Sequence, residues 1–196
     1  MAYPSFPKIH RLSREMIVTE KLDGTNGLIS IIPSAPIIDV TQSLPIAISL
    51  DGLLAMYVGS RSRWITPEKG EDNFGFAAWV KDNADDLFNL GIGDHYGEWW
   101  GQGIQRNYGL KEKRFSLFNV SRWSDDEVRP KCCHVVPVLM RQPHFSTGDI
   151  EISFSRLRHL GSKAAPGFMK PEGVVVFHTA SGYLFKKTIE KDEGKE

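Results

Sequence analysis

The sequence predicts an α+β fold, with antiparallel β-sheets and helices flanking them. Three observations lead there. The runs "EMIVTEKL", "GLISII", "LLAMYVG", "HYGEWWG", "RFSLFNV", "HVVPVLM", "EGVVVFH" and "GYLFKKT" are rich in β-branched or aromatic residues, as strands are. Between the third and fourth lies "NFGFAAWVKDNADDLFNL", where Phe76, Trp79, Val80, Ala84 and Leu87 recur at helical spacing. Strands that follow one another through short turns favour antiparallel pairing, with helices left to the outside.

The elements can be justified in order. Asp23-Gly24 separates the first two apolar runs, and Asp-Gly between such runs is a strong hairpin signal. The stretch from Pro33 to Gly52 carries Pro33, Pro36 and Pro45 and reads as a connector or peripheral hairpin. The Phe76–Leu87 stripe predicts an amphipathic helix with one face in the core, and a second helix is expected around Ile150 to Leu160. The closing "IEKDEGKE" is too polar to pack. One domain over residues 1–188 with a polar tail at 189–196 is therefore expected.

At 196 residues the chain can bury a proper core, and 41% hydrophobic and 24% charged residues are values of a soluble globular protein. Its 24 basic residues balance 24 acidic ones, which argues against a strongly basic, coat-like nucleic-acid binder but leaves local clustering open. No apolar run approaches a membrane span, and "MAYPSFPKIHRLSREM" lacks a signal-peptide core, so no membrane association and a cytoplasmic location are expected. Cys132 and Cys133 are adjacent, poorly spaced to bridge each other or wrap a zinc ion. They read as buried thiols at a strand edge.

Charge on the strands points to function. Lys21 closes the first strand, Glu98 interrupts "YGEWWG", Glu172 opens "EGVVVF", and Lys186 and Lys187 interrupt "YLFKKT". Charged groups at the ends of buried strands are costly unless paired or bound to something. With Phe118 in "RFSLFNV", the order lysine, glutamate, aromatic, glutamate, lysine suggests strand ends that converge on a polar site.

These motifs, in this order, resemble the covalent nucleotidyltransferase superfamily of polynucleotide ligases and capping enzymes, and within it the ATP-dependent RNA ligases. "EKLDGTN" resembles the nucleophile motif lysine-x-aspartate-glycine, "GSRSRW" an arginine element near the ribose, and "YGEWWG" the third motif. "FSLFNV" is similar to the aromatic strand beneath the base, "EGVVV" to the fourth motif and "LFKKT" to the fifth. The resemblance runs from about Lys21 to Lys187 and implies an adenylation domain with the nucleotide between its sheets.

It also implies roles. Lys21 would attack the α-phosphate of ATP, form a lysyl-AMP phosphoramidate and release pyrophosphate. A free lysine amine, with a pKa of about 10.4, is protonated near neutrality, so such a nucleophile needs a bias against its ammonium form. Desolvation, a divalent ion (Mg2+ or Mn2+) and neighbouring cations can supply it. Glu172 would hold that ion and Lys186 the α-phosphate. Glu98 would hold the ribose hydroxyls, and Arg61 would contact the ribose or the phosphates. Phe118 would stack on the purine, on the strand face of Ser116 and Val120, with Phe115 in the core. Asp23 and Gly24 would present the nucleophile, while Glu20 and Asn26 would touch the base edge and the polynucleotide end.

The chain departs from the family pattern in two places. Many relatives carry lysine-x-lysine in the fifth motif; Lys186 and Lys187 are adjacent, so a strand must turn them to opposite faces, and Lys186 is the preferred phosphate ligand. Relatives usually append a nucleic-acid-binding module, and no OB-fold is evident here. The basic residues Arg106, Lys111, Lys113 and Arg114, or Arg156, Arg158 and Lys163, could substitute for it or could be solvated faces. Thr25 and Asn26 after the glycine, where DNA ligases and capping enzymes usually place an arginine, favour an RNA ligase that joins 5′-phosphate and 3′-hydroxyl RNA ends. A DNA ligase, a capping-type guanylyltransferase and a non-sealing RNA-end binding module are the alternatives.

Overall fold

The computed structural model describes residues 4–34, 44–68 and 70–190. Residues 35–43 of the expected connector between Pro33 and Gly52, and residues 191–196 of the expected tail, lie outside the described residues. In chain order the elements are β1 (Met16–Lys21), β2 (Thr25–Pro33), β3 (Ala47–Ile48), β4 (Leu54–Gly59), α1 (Phe76–Asp82) and α2 (Ala84–Leu87). They continue with β5 (Gly93–Gly101), β6 (Lys113–Leu117), α3 (Val120–Trp123), β7 (Cys133–Val135), β8 (Val138–Gln142), α4 (Thr147–Leu160), β9 (Gly173–His178) and β10 (Tyr183–Thr188). The expected α+β class is found, and the chain divides into two compact units.

The first unit holds residues up to Lys21 and those from Pro137 onward. Its four strands pair antiparallel in the order β10-β9-β1-β8. Helix α4 covers one face of this sheet. Ser146 accepts the N–H of Asp149 as N-cap, Asp149 places negative charge in the first turn, and Gly161 ends the helix at φ 82°. Phe154 and Leu157, one turn apart, pack on Met16, Val18, Val174 and Val176, each strand giving alternate residues to this core. Ile189, the first residue of the tail expected to be too polar to pack, does pack against the same cluster because it is the one large apolar side chain there, and its N–H donates to the carbonyl of Glu172.

The second unit, Leu22–Val136, is built on a six-stranded sheet in the order β3-β4-β2-β5-β6-β7. All its pairs are antiparallel except β6 with β7. Its core gathers Ile29, Ile31, Trp99, Phe115 and Leu117 from the strands with Phe76, Val80 and Leu87 from the helices, and Phe115 lies in the core as expected. The carboxylate of Asp72 accepts the N–H groups of Ala77 and Ala78, which have no partner within the first turn of α1. Cys132, half-buried just before the edge strand β7, and Cys133, buried as its first residue, are free thiols. The hydrogen bond between the two thiols, and then burial, push the Cys132 thiol far up. Among the described residues no helix is long and apolar enough to cross a membrane.

Four further expectations change. The runs around Asp23-Gly24 do not form a hairpin: β1 and β2 belong to different sheets, and Gly24 does not take a positive φ. Its glycine is required by close approach instead, since a Cβ would lie 2.3 Å from the carbonyl oxygen of Trp99. The helical stripe is interrupted at Asn83, which ends α1 and starts α2 while its side-chain amide donates to the carbonyl of Trp79. "HVVPVLM" is two strands in two sheets, because Pro137 lacks the N–H that would continue a ladder. Finally β6 stops at Leu117, so Phe118 lies beyond the strand and the parity that grouped it with Ser116 and Val120 does not apply.

Candidate active site

In the first unit the strand register assembles a polar end of the sheet. Lys21, the last residue of β1, stands opposite Gly173 of β9, which stands opposite Thr188 of β10. One step back, Glu20, Val174 and Lys187 are aligned, and behind them Thr19, Val175 and Lys186. Paired residues share a face and successive residues alternate. Lys21 and Lys186 therefore occupy the face away from α4, whereas Glu20 and Lys187 occupy the face toward it. Lys187 confirms the assignment by its contacts: its Nζ pairs with Glu151 of α4 and lies 4.7 Å from the centre of the Phe154 ring.

Glu172 immediately precedes β9. Its Oε2 accepts a hydrogen bond from Lys21 Nζ at 2.6 Å, with both side chains largely buried. Gly173 makes this possible: its φ is 156°, and a Cβ there would lie 2.1 Å from the carbonyl oxygen of Lys187. Thus Glu172 can enter the sheet edge-on, beside the amine, only because a glycine follows it.

Glu20, expected at the base edge or the polynucleotide end, lies on the opposite sheet face from Lys21. Only 1% exposed, it turns its carboxylate into the loop after α4, where Oε2 accepts the N–H groups of Lys163 and Ala164 at 2.8 and 3.0 Å. Its Oε1 is buried without a hydrogen-bond partner. Burial raises its carboxyl pKa against the lowering effect of Ser162 and these N–H groups. The carboxylate fastens the end of β1 one residue before Lys21.

In the second unit the segment Asp23-Gly24 is clamped. Asp23 Oδ2 accepts from Arg106 Nε at 2.8 Å, and its N–H donates to the Tyr108 hydroxyl at 2.8 Å. The N–H of Gly24 donates to Glu98 Oε1 at 3.0 Å. Asn26 stands opposite Glu98, and Glu98 opposite Ser116, so these three share the sheet face away from Phe115 and the core. Phe118 is 40% exposed, with its N–H donating to the carbonyl of Tyr96. Arg61 is exposed in the bend after β4, and its neighbour Arg63 pairs with Glu71 at 3.0 Å.

Arg106 and Tyr108 were not legible as clamp residues. Arg106, in a basic group that the sequence offers either as nucleic-acid contacts or as a solvated face, serves Asp23. Of the same group, Arg114 pairs with Glu112 and Lys113 donates to the carbonyl of Phe74. The loop that carries the clamp is strained: Gln105, Asn107 and Tyr108 have φ of 43°, 60° and 53°. Left-handed backbone at a bulky tyrosine persists only where the surroundings enforce it, and such strain clusters at functional sites. The sequence signal is the turn-forming "NYG" of residues 107–109.

Among the described residues no group of three or more His, Cys, Asp or Glu side chains is placed to hold a metal ion. A lone carboxylate such as Glu172 suits a hard ion that keeps its waters and takes its other oxygens from phosphates, as Mg2+ does.

The sequence model of the RNA ligase family matches residues 14–188. No curated protein matches the chain. Among solved structures it is similar to a Naegleria gruberi RNA ligase variant with ATP and Mn, at 18% identity and a TM-score of 0.60, covering 91% of this chain and 51% of that one. A variant of the same enzyme with AMP and Mn gives 18% identity, a TM-score of 0.60 and coverage of 90% and 50%. An apo variant gives 19%, 0.59, and coverage of 89% and 49%. The chain thus spans about half the length of the structures it matches, and at this identity the likeness is one of fold.

Proposed function

The chain belongs to the RNA ligase family, and from that premise we propose that it is an ATP-dependent RNA ligase acting through a lysyl-AMP intermediate on Lys21. The observation that carries this reading is the Lys21–Glu172 pair at 2.6 Å on the sheet face that also bears Lys186. An amine, a carboxylate and a second cation gathered at one sheet end are the parts that phosphoryl transfer to nitrogen requires.

The Lys21 amine, freed of its proton, attacks the α-phosphorus of ATP; a P–N bond forms, the bond to the β-phosphate oxygen breaks, and pyrophosphate leaves. Lys186 offsets charge on the α-phosphate, and position and electrostatics supply most of the rate. A divalent ion, Mg2+ or Mn2+, held by Glu172 would neutralise phosphate charge when bound. Glu98 orients the ribose, Arg61 contacts the ribose or phosphates, and Phe118, exposed and aromatic, stacks on the adenine. Asn26 and the clamped Asp23-Gly24 segment complete the nucleotide contacts. AMP then passes from Lys21 to the 5′-phosphate of an RNA end, and the 3′-hydroxyl of another end displaces it to seal the strand.

Incubation with α-labelled ATP or GTP and a divalent ion, followed by a denaturing gel, tests the first step. Label from ATP and not GTP, acid-labile and lost in Lys21→Ala, is expected. Label persisting in Lys21→Ala would overturn the assignment. Nicked duplexes and single strands of RNA and DNA then test the acceptor, with sealing of RNA expected.

A further inference from the structure

The end of the four-stranded sheet opposite Lys21 carries a second cationic site. A cleft of about 490 Å³ opens there, lined by Arg14, Glu15, Arg141, Gln142, Pro143 and Thr179. Arg14 and Arg141 are exposed, and among the described residues neither forms an ion pair. The chain that leads into Arg14 adds exposed Lys8, His10 and Arg11, and His144 hydrogen-bonds Ser13 beside the cleft. Glu15 is the one acidic residue of the lining.

The register gives the site a direction. Arg141 stands opposite Ile17 of β1, and Ile17, Thr19 and Lys21 alternate onto the same face. The irregularity in pairing with β8 falls after Val18, and β1 itself stays in continuous register with β9. Arg141 therefore lies on the nucleophile's face of the sheet, four residues back along β1, or roughly 14 Å at about 3.4 Å per residue. Two unpaired guanidiniums in an open cleft suit oxyanions spaced along a backbone, because each offers a planar fork of donors and a permanent charge.

We infer that this Arg14–Arg141 cleft is a docking site for backbone phosphates of the RNA strand whose 5′ end receives AMP. The inference rests on the ligase reading and adds to it the place where the substrate strand is gripped. With a 5′ end at Lys21, the phosphates that reach the cleft lie up to about four nucleotide steps inward, the count for a stacked strand that rises about 3.4 Å per step. Contacts of this kind position a strand without reading its sequence.

The test uses the whole chain and 5′-phosphorylated RNA of three and of twelve nucleotides, with binding read by fluorescence anisotropy across a salt series. Arg14→Gln with Arg141→Gln should weaken binding of the twelve-mer at least tenfold at low salt and leave the three-mer unchanged. The slope of log affinity against log salt should fall in magnitude by about 1.4, for two lost phosphate contacts on a single strand. Arg14→Lys with Arg141→Lys should recover most of the affinity and exclude a folding defect. Equal binding and slope in the Gln variant and the wild type would overturn the inference, as would an equal loss for both RNA lengths. Self-adenylation from ATP needs no RNA and should be unchanged in the Gln variant. Its absence from the wild type would overturn the ligase reading instead, while the binding series would still decide the cleft.

Discussion

Lys21 Nζ and Glu172 Oε2 meet at 2.6 Å across a position where only glycine fits, so the proposed nucleophile and the proposed metal-holding carboxylate are each other's partners. A carboxylate that pairs with an ammonium cannot at the same time give its full charge to a divalent ion. Binding of the ion should therefore weaken the hold on the protonated amine. Glu172→Gln keeps the shape and a hydrogen-bond acceptor but removes the charge. We expect it to lower self-adenylation by about 100-fold or more, a usual loss for a preorganised charged group. The loss should be greatest at low Mg2+ or Mn2+ and partly recovered as the metal is raised. A metal titration with the midpoint of the wild type would refute the assignment.

The two lysines of "LFKKT" separate by face. Lys186 shares the face of Lys21, whereas Lys187 is taken up by Glu151 and Phe154. Lys186→Ala should cost about 100-fold or more in adenylation with little change in stability. Lys187→Ala should leave adenylation near the wild type and cost about 1 kcal/mol in urea unfolding, the usual worth of a partly exposed ion pair with a cation–π contact. The reverse pattern would exchange their roles.

The strands were legible in the sequence because β-branched and aromatic runs report them directly, and the helix expected around Ile150 to Leu160 is α4, which starts one turn earlier at Thr147 behind its Ser146 cap. Partnership was not. "EKLDGTNG" looks the same locally whether its flanking strands pair with each other or leave for different sheets, and only the long-range ladders of β1 with β8 and β9 decide. The adjacency of Lys21 and Glu172 spans 151 residues and is invisible to any local pattern, though the resemblance placed both in the site. The role of Arg106 is hidden for a related reason: a basic residue in a polar stretch shows its charge but not its partner, and Asp23 lies 83 residues away.

The clamp on Asp23-Gly24 yields a stability test that is independent of substrate. Gly24→Ala would drive a methyl to 2.3 Å from the Trp99 carbonyl and 2.7 Å from Trp100 Cβ, neither of which is a flexible side-chain end. Overpacking of this kind costs about 1–3 kcal/mol. Tyr108→Phe, which removes the acceptor for the Asp23 N–H, should cost about 1 kcal/mol. Urea unfolding of both variants measures these losses, and an unchanged midpoint for Gly24→Ala would contradict the close approach.

Glu20 makes stability depend on pH in a direction that the structure dictates. Burial raises its carboxyl pKa above the ordinary value of 4.5, so the folded state holds this proton more tightly than the unfolded chain does. Its contribution is fully present below the ordinary carboxylate range and is lost as pH rises through the raised value. Glu20→Gln removes the titration while its amide oxygen can still accept the N–H groups of Lys163 and Ala164. The melting temperature of Glu20→Gln relative to the wild type should therefore climb as pH rises from about 4.5, the ordinary carboxylate value, and then level off. Glu20→Ala leaves both N–H groups without their acceptor and should lose about 1–3 kcal/mol at every pH. It should also slow self-adenylation, because the end of β1 that carries Lys21 loses its anchor. Parallel pH profiles for the wild type and Glu20→Gln would show that this buried carboxylate, with its orphaned oxygen, does not titrate within the folded range.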